Sequence, residues 1–140
     1  MITYQLSRDL TQSAQFTIDN MRTYYDYHSD DWDREAIEEQ ITQLENWDIL
    51  LDGLTVGAVR LEYDDDGCQI RDIQVSQQHQ NKGIGAVALE ECKRLAKNAG
   101  VTTLRLRVFK ISPAYNLYIR NGFVVYDDDE KFYYMVHEIV

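Results

Sequence analysis

The sequence predicts an α+β fold: one domain over residues 1–140, built on a mixed sheet of about seven strands flanked by about four helices. Short runs that alternate between apolar and polar residues, typical of strands, are interspersed with longer runs whose apolar residues recur at helical spacing. An antiparallel meander precedes a strand–helix–strand unit, which joins two parallel strands by a right-handed crossover. No repeat, linker or low-complexity segment indicates a second domain.

The first half of the chain contains four predicted strands and two predicted helices. The strands run from Ile2 to Leu6, Trp47 to Leu51, Leu54 to Tyr63 and Cys68 to Val75. Asp9 is a capping residue for the first helix, and the second begins at Asp33. The segment from Tyr24 to Trp32 mixes aromatic and acidic residues without a continuous apolar face, so we interpret it as a loop between the helices. Asp52-Gly53 predicts a two-residue type I′ hairpin.

The second half predicts a helix, a strand, a short helix and a closing hairpin. Apolar residues form one stripe from Ile84 to Ala99, and Gly100 follows as a C-terminal capping glycine. Cys92 lies on this stripe, so we interpret it as a small core residue. The remaining elements are a strand from Thr102 to Phe109, a helix opened by Ser112-Pro113 and ended by Gly122, and a hairpin of Phe123 to Tyr126 with Phe132 to Val140.

Composition restricts the class of protein. The 24 acidic residues outnumber the 14 basic ones, and the net charge of -10 disfavours a nucleic-acid partner, which requires a basic surface. No apolar run approaches the ~20 residues of a membrane span, and the N-terminus lacks the apolar core of a signal peptide. Cys68 and Cys92 show neither metal-ligand spacing nor a disulfide framework. We therefore expect a cytoplasmic, reduced protein with no metal, nucleic-acid or membrane partner.

The stretch Gln80-Asn81-Lys82-Gly83-Ile84-Gly85 lies between a predicted strand and a predicted helix. Glycines let the main chain approach a ligand closely, and a helix N-terminus offers unpaired N–H groups at the positive end of its dipole. This order of elements is therefore typical of a main-chain site for phosphates. The stretch lacks the Lys-Ser/Thr pair of nucleotide hydrolases, which argues against an ATP or GTP site and against a need for magnesium.

Two motifs together resemble the GNAT superfamily of N-acetyltransferases. Gln80 to Gly85 matches the family pattern Q/R-x-x-G-x-G/A, and Ala114 to Phe123 matches A-x-x-L-Y-x-x-x-G-F. The motifs are separated by the helix and the strand that the family places between them. The resemblance is clear from Ile70 to Tyr126 and is architectural before that. One departure is Ile111, where the family often has an Asn close to the cofactor.

The resemblance implies that the chain binds acetyl-CoA as an acetyl donor. Main-chain N–H groups of the glycine loop then hold the pyrophosphate. The end of the preceding strand pairs its main chain with the pantetheine arm, at a gap where two parallel strands part. The implied cofactor-binding residues are Ile73, Gln74, Val75, Gln80, Asn81, Lys82, Gly83, Ile84, Gly85, Ala86 and Asn116.

The resemblance also implies direct acetyl transfer to a primary amine. Tyr118 occupies the position of the general acid that protonates the CoA thiolate, and the oxyanion is expected near the Val75 N–H. The amine must lose a proton, and our candidate base is Asp72, with Glu62 as a second candidate. In the alternative interpretation, Asp72 is a structural carboxylate paired with an arginine of the sheet, namely Arg71, Arg105 or Arg107.

The acceptor is expected to be a small amine, an amino acid or a protein amine. His28 belongs to an acidic, aromatic segment, with Asp30, Asp31 and Trp32, where relatives build the acceptor pocket. Such a segment favours a cationic acceptor, although the acidity also agrees with simple solubility. His79 precedes the glycine loop and is expected in solvent.

Two further expectations concern function and assembly. A non-catalytic acyl-CoA-binding regulatory module on the same fold is the alternative function, favoured slightly by Ile111 and opposed by Tyr118. Homodimers are frequent in this fold, so a homodimer is a further expectation, without a residue pattern that fixes its interface.

Overall fold

The computed structural model describes residues 1–28 and 33–139. The predicted acceptor residues Asp30, Asp31 and Trp32 lie outside this part of the chain. Within it, the elements in chain order are β1 (Ile2–Leu6), α1 (Leu10–Tyr27), α2 (Arg34–Ile41), β2 (Glu45–Leu51), β3 (Leu54–Asp64), β4 (Gly67–Val75), a 3₁₀ turn (Gln77–His79), α3 (Ile84–Asn98), β5 (Thr103–Phe109), α4 (Ala114–Arg120), β6 (Val124–Asp128) and β7 (Phe132–Glu138).

The seven strands form one mixed sheet in the order β1-β2-β3-β4-β5-β7-β6. Its first four strands are an antiparallel meander, and β4 and β5 are the parallel pair, joined by α3. The predicted fold class is therefore confirmed. The hairpin between β2 and β3 is confirmed as well, since Asp52 and Gly53 have φ values of 50° and 86°, both positive as a type I′ turn requires.

Two helix boundaries differ from the prediction. Asp9 caps α1 as expected, accepting a hydrogen bond from the Gln12 N–H at 3.0 Å, but the helix continues to Tyr27. The segment from Tyr24 to Tyr27 was therefore wrongly interpreted as loop. Packing against the sheet explains the extension, since Tyr24 stacks on Phe109 with ring centroids 5.4 Å apart. At α4, Pro113 occupies the N-cap position and the Ser112 hydroxyl accepts from the Ala114 N–H at 3.2 Å.

Helices cover both faces of the sheet. The larger core joins the sheet to α3 and α4, and its fully buried members include Val59, Leu61 and Leu89. A smaller cluster joins α1 to α2 through Ala14, Ile18, Ile37 and Ile41. Successive strand residues point to opposite faces, so Arg60, between Val59 and Leu61, points towards α1. In the described part of the chain, no helix combines the length and hydrophobicity needed to cross a membrane.

The buried Arg60 guanidinium joins α1 to the sheet. It donates to the Asp72 carboxylate at 2.9 Å, to Thr17 Oγ1 at 2.6 Å, and to the carbonyl and hydroxyl oxygens of Ser13 at 2.6 and 2.9 Å. Its Nε donates to Asn46 Oδ1 at 3.2 Å. The guanidinium of Arg60, which has no solvent exposure, therefore links its own strand β3 to α1, β2 and β4.

A β-bulge in β4 makes this arrangement possible. Arg60 pairs with Asp72, whereas the next residue of β3, Leu61, pairs with Ile70, so Arg71 is an additional residue on β4. An extra residue shifts the alternation of side chains along a strand. Asp72 therefore lies on the α1 face beside Arg60, while Ile70 packs with Leu61 in the larger core.

We expect Arg60→Met to lower the free energy of unfolding by ~3–5 kcal/mol, because removing one member of a buried ion pair leaves the other charge uncompensated. Chemical denaturation followed by circular dichroism measures this change. Arg105→Gln is the matched control, since Arg105 pairs with Asp64 at 2.7 Å near the surface and its loss is expected to cost much less. Equal decreases in the free energy of unfolding for the two variants would contradict the importance assigned to Arg60.

Candidate functional site

The parallel strands β4 and β5 part in the middle of the sheet. They pair along three positions, from Cys68 opposite Leu104 to Ile70 opposite Leu106. Beyond Ile70, β4 continues to Val75 with its pairing to β3 alone. A cleft of about 600 Å³ opens at this divergence, lined by both strands, α1, the glycine loop and α4. The gap implied by the family resemblance is thus present.

The main chain of Val75 faces the cleft. The next residue, Ser76, donates its N–H to the Val56 carbonyl of β3 at 2.7 Å. Main-chain groups of consecutive strand residues point to opposite edges, so the N–H and carbonyl of Val75 point away from β3. Its carbonyl instead accepts from the side-chain amides of Asn20 at 2.8 Å and Gln80 at 3.0 Å. An N–H donor is therefore presented at the edge where β4 and β5 part.

The glycine loop leads directly into α3. Gly83 has a φ of 81° and occupies the N-cap position, and Asn81 is also left-handed with a φ of 62°. The first hydrogen bond of the helix runs from the Val87 N–H to the Gly83 carbonyl at 3.1 Å. No side chain of the described residues caps this helix. The N–H groups of Ile84, Gly85 and Ala86 thus remain at the positive end of the helix dipole, an arrangement suited to an anion.

The cleft includes most of the predicted cofactor residues. Lining it are Ile73, Gln74, Val75, Gln80, Asn81, Gly83, Ile84, Gly85 and Ala86. Lys82 and Asn116 are exposed and do not line it, so their contact with a cofactor stays a prediction. In the described chain, no group of three or more His, Cys, Asp or Glu side chains is arranged to bind a metal ion.

Tyr118 projects from α4 into the wall of the cleft. Its side chain is 9% exposed and packs edge-on against Phe123, with ring centroids 5.9 Å apart. Burial raises the pKa of the Tyr118 phenol above its usual value, with a smaller contribution from the negative charge of Asp72. The phenol therefore holds its proton at neutral pH, as a proton donor must.

Asp72 is the only Asp or Glu among the described residues that line the cleft. Oδ2 of Asp72 is 2.9 Å from Arg60, and Oδ1 accepts from the Gln74 amide at 3.1 Å. The alternative interpretation paired Asp72 with Arg71, Arg105 or Arg107, and its partner is Arg60 instead. Glu62, the second candidate base, pairs with Arg71 at 3.0 Å and does not line the cleft.

Asn20 on α1 is a site residue that the sequence did not reveal. Its amide donates to the Val75 carbonyl and to Gln74 Oε1, and its oxygen accepts from the Gln80 amide at 3.2 Å. The side chain therefore fastens α1, the end of β4 and the glycine loop together. A polar residue beside the apolar positions of a helix gives no signal of such a contact before the tertiary structure is known.

Aromatic side chains from α1, β5 and β7 form part of the cleft wall. Phe109 of β5 stacks on Phe132 at 4.5 Å, on Tyr24 at 5.4 Å and on His28 at 5.1 Å between ring centroids. His28 thus packs behind Phe109 and does not itself line the cleft. His79, expected in solvent, is half-buried and lines the cleft, with Nδ1 2.6 Å from the Ser76 hydroxyl.

The comparisons with known proteins agree with this geometry. A family model described as "Acetyltransferase (GNAT) family" matches residues 12–123. The chain is similar in structure to PaiA N-acetyltransferase from Thermoplasma acidophilum, solved in complex with coenzyme A, with 18% identity, 99% of each chain covered and a TM-score of 0.73. It is also similar to a GNAT family acetyltransferase from Elizabethkingia anophelis with acetyl-CoA bound, with 18% identity, 98% of this chain and 97% of the other covered, and a TM-score of 0.73.

A shorter match links the chain to the acetyltransferase PseH of Campylobacter jejuni subsp. jejuni. The two sequences are 43% identical over 56 residues, which cover 39% of this chain and 36% of PseH. The match spans only about a third of that curated relative, whereas the family model spans most of this chain. The resemblance indicated by the two motifs is confirmed: the chain belongs to the GNAT family of acetyltransferases.

Proposed function

We propose that this protein transfers an acetyl group directly from acetyl-CoA to the primary amine of an acceptor. The observation that carries the proposal is the convergence of three features on one cleft. These features are the uncapped N-terminus of α3, the cleft-facing main chain of Val75 and the buried Tyr118 phenol. The N-terminus of α3 and the main chain of Val75 suit the binding of the acetyl donor. The main chain of Val75 and the Tyr118 phenol suit the chemical step.

The residues of the cleft fit acetyl-CoA, which supplies an acetyl group activated as a thioester. The N–H groups at the start of α3, from Ile84 to Ala86, can donate hydrogen bonds to a pyrophosphate without a metal ion. The free edge of β4, from Ile73 to Val75, offers main-chain donors and acceptors for the amides of an extended pantetheine arm. The volume of about 600 Å³ is typical of a ligand-binding cleft.

Proton removal from the acceptor is assigned to Asp72. A free alkyl amine has a pKa of ~10.4 and is mostly protonated at neutral pH, so a proton must leave before the nitrogen attacks. Asp72 lines the cleft with its carboxylate fixed by Arg60 and Gln74. The Asp72 carboxylate takes this proton from the ammonium group, directly or through one hydrogen-bonded water molecule, and leaves the amine neutral for attack.

Stabilisation of charge and return of a proton are assigned to two further groups. The Val75 N–H donates to the negative charge that develops on the acetyl oxygen. Tyr118 donates the proton that the departing thiolate needs, since its phenol lines the cleft and is protonated at neutral pH. A non-catalytic acyl-CoA-binding module is the alternative function and would use the same donor groups without requiring Tyr118.

Residues 1–28 and 33–139 contribute one carboxylate to the cleft, that of Asp72. The acidic residues that favoured a cationic acceptor, Asp30 and Asp31, lie outside them. Charged side chains that line the described cleft are instead three arginines, Arg71, Arg107 and Arg120, and one aspartate, Asp72. The homodimer stays a prediction, with no interface assigned.

We expect saturable binding of acetyl-CoA in calorimetric titrations, with or without a magnesium chelator. S-Acetylpantetheine, which lacks the pyrophosphate, is expected to bind at least about tenfold more weakly, because hydrogen bonds to charged groups contribute ~1.5–3 kcal/mol. ATP is the control nucleotide and is expected to bind more weakly than acetyl-CoA. A magnesium requirement, or tighter binding of ATP, would contradict the proposed role of the glycine loop.

We expect Tyr118→Phe to lower kcat by ~10²–10⁴-fold, the usual contribution of a general acid, while the Kd for acetyl-CoA stays unchanged. Release of free thiol measures turnover, and calorimetry measures binding. Tyr115→Phe is the matched control, because Tyr115 lies on the same helix but packs against Tyr133 outside the cleft. Full turnover by Tyr118→Phe would exclude the acid role, and absence of turnover by the wild type with intact acetyl-CoA binding would favour the non-catalytic module.

A further inference from the structure

A second, smaller cavity adjoins the part of the cleft that contains Asp72, which we call the acceptor end. It has a volume of about 90 Å³ and lies between α2 and the sheet. Five residues line both cavities, namely Tyr25, Ile70, Arg71, Asp72 and Arg107. The rest of its wall includes the side chains of Gln40 and Gln69. The side cavity is therefore a polar extension of the cleft that starts beside the proposed base.

The charge of the side cavity is positive although the whole chain carries -10. Its charged lining consists of Arg71, Arg107 and Asp72 among the described residues. The negative charge of Asp72 is already compensated by the buried Arg60 at 2.9 Å, from outside the cavity wall. Arg71 is likewise paired with Glu62 outside the cavity, so Arg107 supplies most of the positive charge of the cavity wall.

Arg107 is held in place by a group that does not neutralise it. Its Cζ lies 4.3 Å from the centroid of the uncharged Phe132 ring. No ion pair with Arg107 is present among residues 1–28 and 33–139. A guanidinium has five N–H donors in a planar fork that matches a carboxylate. Donors therefore remain for a ligand.

Arg71 adds a second guanidinium through the β-bulge. It is the additional residue of β4, and its Nη1 is 3.0 Å from Glu62, with 37% of its side chain exposed. The Glu62 carboxylate uses some of the N–H donors of Arg71, so Arg71 contributes less than Arg107 to the attraction of a ligand.

From this arrangement we propose that the acceptor is a small amine carrying a carboxylate, and that Arg107, assisted by Arg71, binds this carboxylate in the side cavity. The inference rests on the proposed acetyl transfer and names its acceptor class. A volume of about 90 Å³ admits a carboxylate, since one water occupies ~30 Å³ in the liquid. With the carboxylate in the side cavity, the amine of the same molecule lies in the cleft on the side of Asp72.

The test compares amino carboxylates with their own carboxamides as acceptors of the full-length enzyme. L-Phenylalanine, L-lysine and 4-aminobutanoate are each paired with the amide, which keeps size and shape but removes the charge. We expect kcat/KM to be about tenfold or more higher for at least one carboxylate than for its amide, as for a charged hydrogen bond. O-Phosphoethanolamine tests a phosphate in place of the carboxylate.

Variants of Arg107 test whether this residue causes the preference for a carboxylate over its carboxamide. Arg107→Gln is expected to abolish this preference, because kcat/KM for the carboxylate falls to that for its amide, mainly through a higher KM. Arg107→Lys keeps the charge without the fork and is expected to restore part of the preference. Arg105→Gln is the matched control, on the same strand and face but outside both cavities, and is expected to keep it.

The outcomes separate the assignment of the acceptor from the acetyl transfer on which it rests. Equal rates with carboxylates and amides, reaction with amides alone, or a stronger preference for the phosphate overturns the carboxylate assignment and leaves acetyl transfer standing. A preference that survives Arg107→Gln overturns the role of Arg107. Absence of reaction with every amine, by an enzyme that binds acetyl-CoA, overturns the acceptor class and the proposed function together.

Discussion

The geometry of the cleft depends on the buried Arg60. A guanidinium without contact to water is stable only if its donors are satisfied, and here Ser13 and Thr17 of α1, Asn46 of β2 and Asp72 of β4 satisfy them. This requirement fixes the position of α1 over the sheet. The same helix places Asn20 beside the end of β4 and Tyr24 against β5, so both ends of the cleft take their shape from one charge.

The elements themselves could be predicted because their signals are local. Alternation, helical periodicity, capping residues and the Asp52-Gly53 turn all concern neighbours along the chain. The end of α1 could not be predicted in this way, since packing of Tyr24 on Phe109 extends the helix beyond its apolar stripe. The partner of Asp72 was also hidden. A bulge at Arg71 sets the register that brings Asp72 to Arg60, and a single added residue has no distinctive sequence pattern.

The donor end of the site was more predictable than the acceptor end for a physical reason. Its proposed groups come from the main chain of one continuous strand–loop–helix segment, and the motif from Gln80 to Gly85 lies within that segment. At the acceptor end, α1, α2, β4, β5 and β7 each supply side chains that are distant in sequence. Their meeting place is a product of the tertiary structure, so the sequence did not reveal that Arg107 lines the cleft and its side cavity.

A donor site made of main-chain groups has a consequence for evolution. Backbone N–H and carbonyl groups survive almost any substitution that keeps the strand, the turn and the helix. Sequences can therefore diverge widely while the fold that presents such groups persists, as the 18% identity over nearly the whole length of two structural relatives illustrates. The side chains at the opposite end are free to change independently, which lets a lineage exchange one acceptor for another while its donor stays the same.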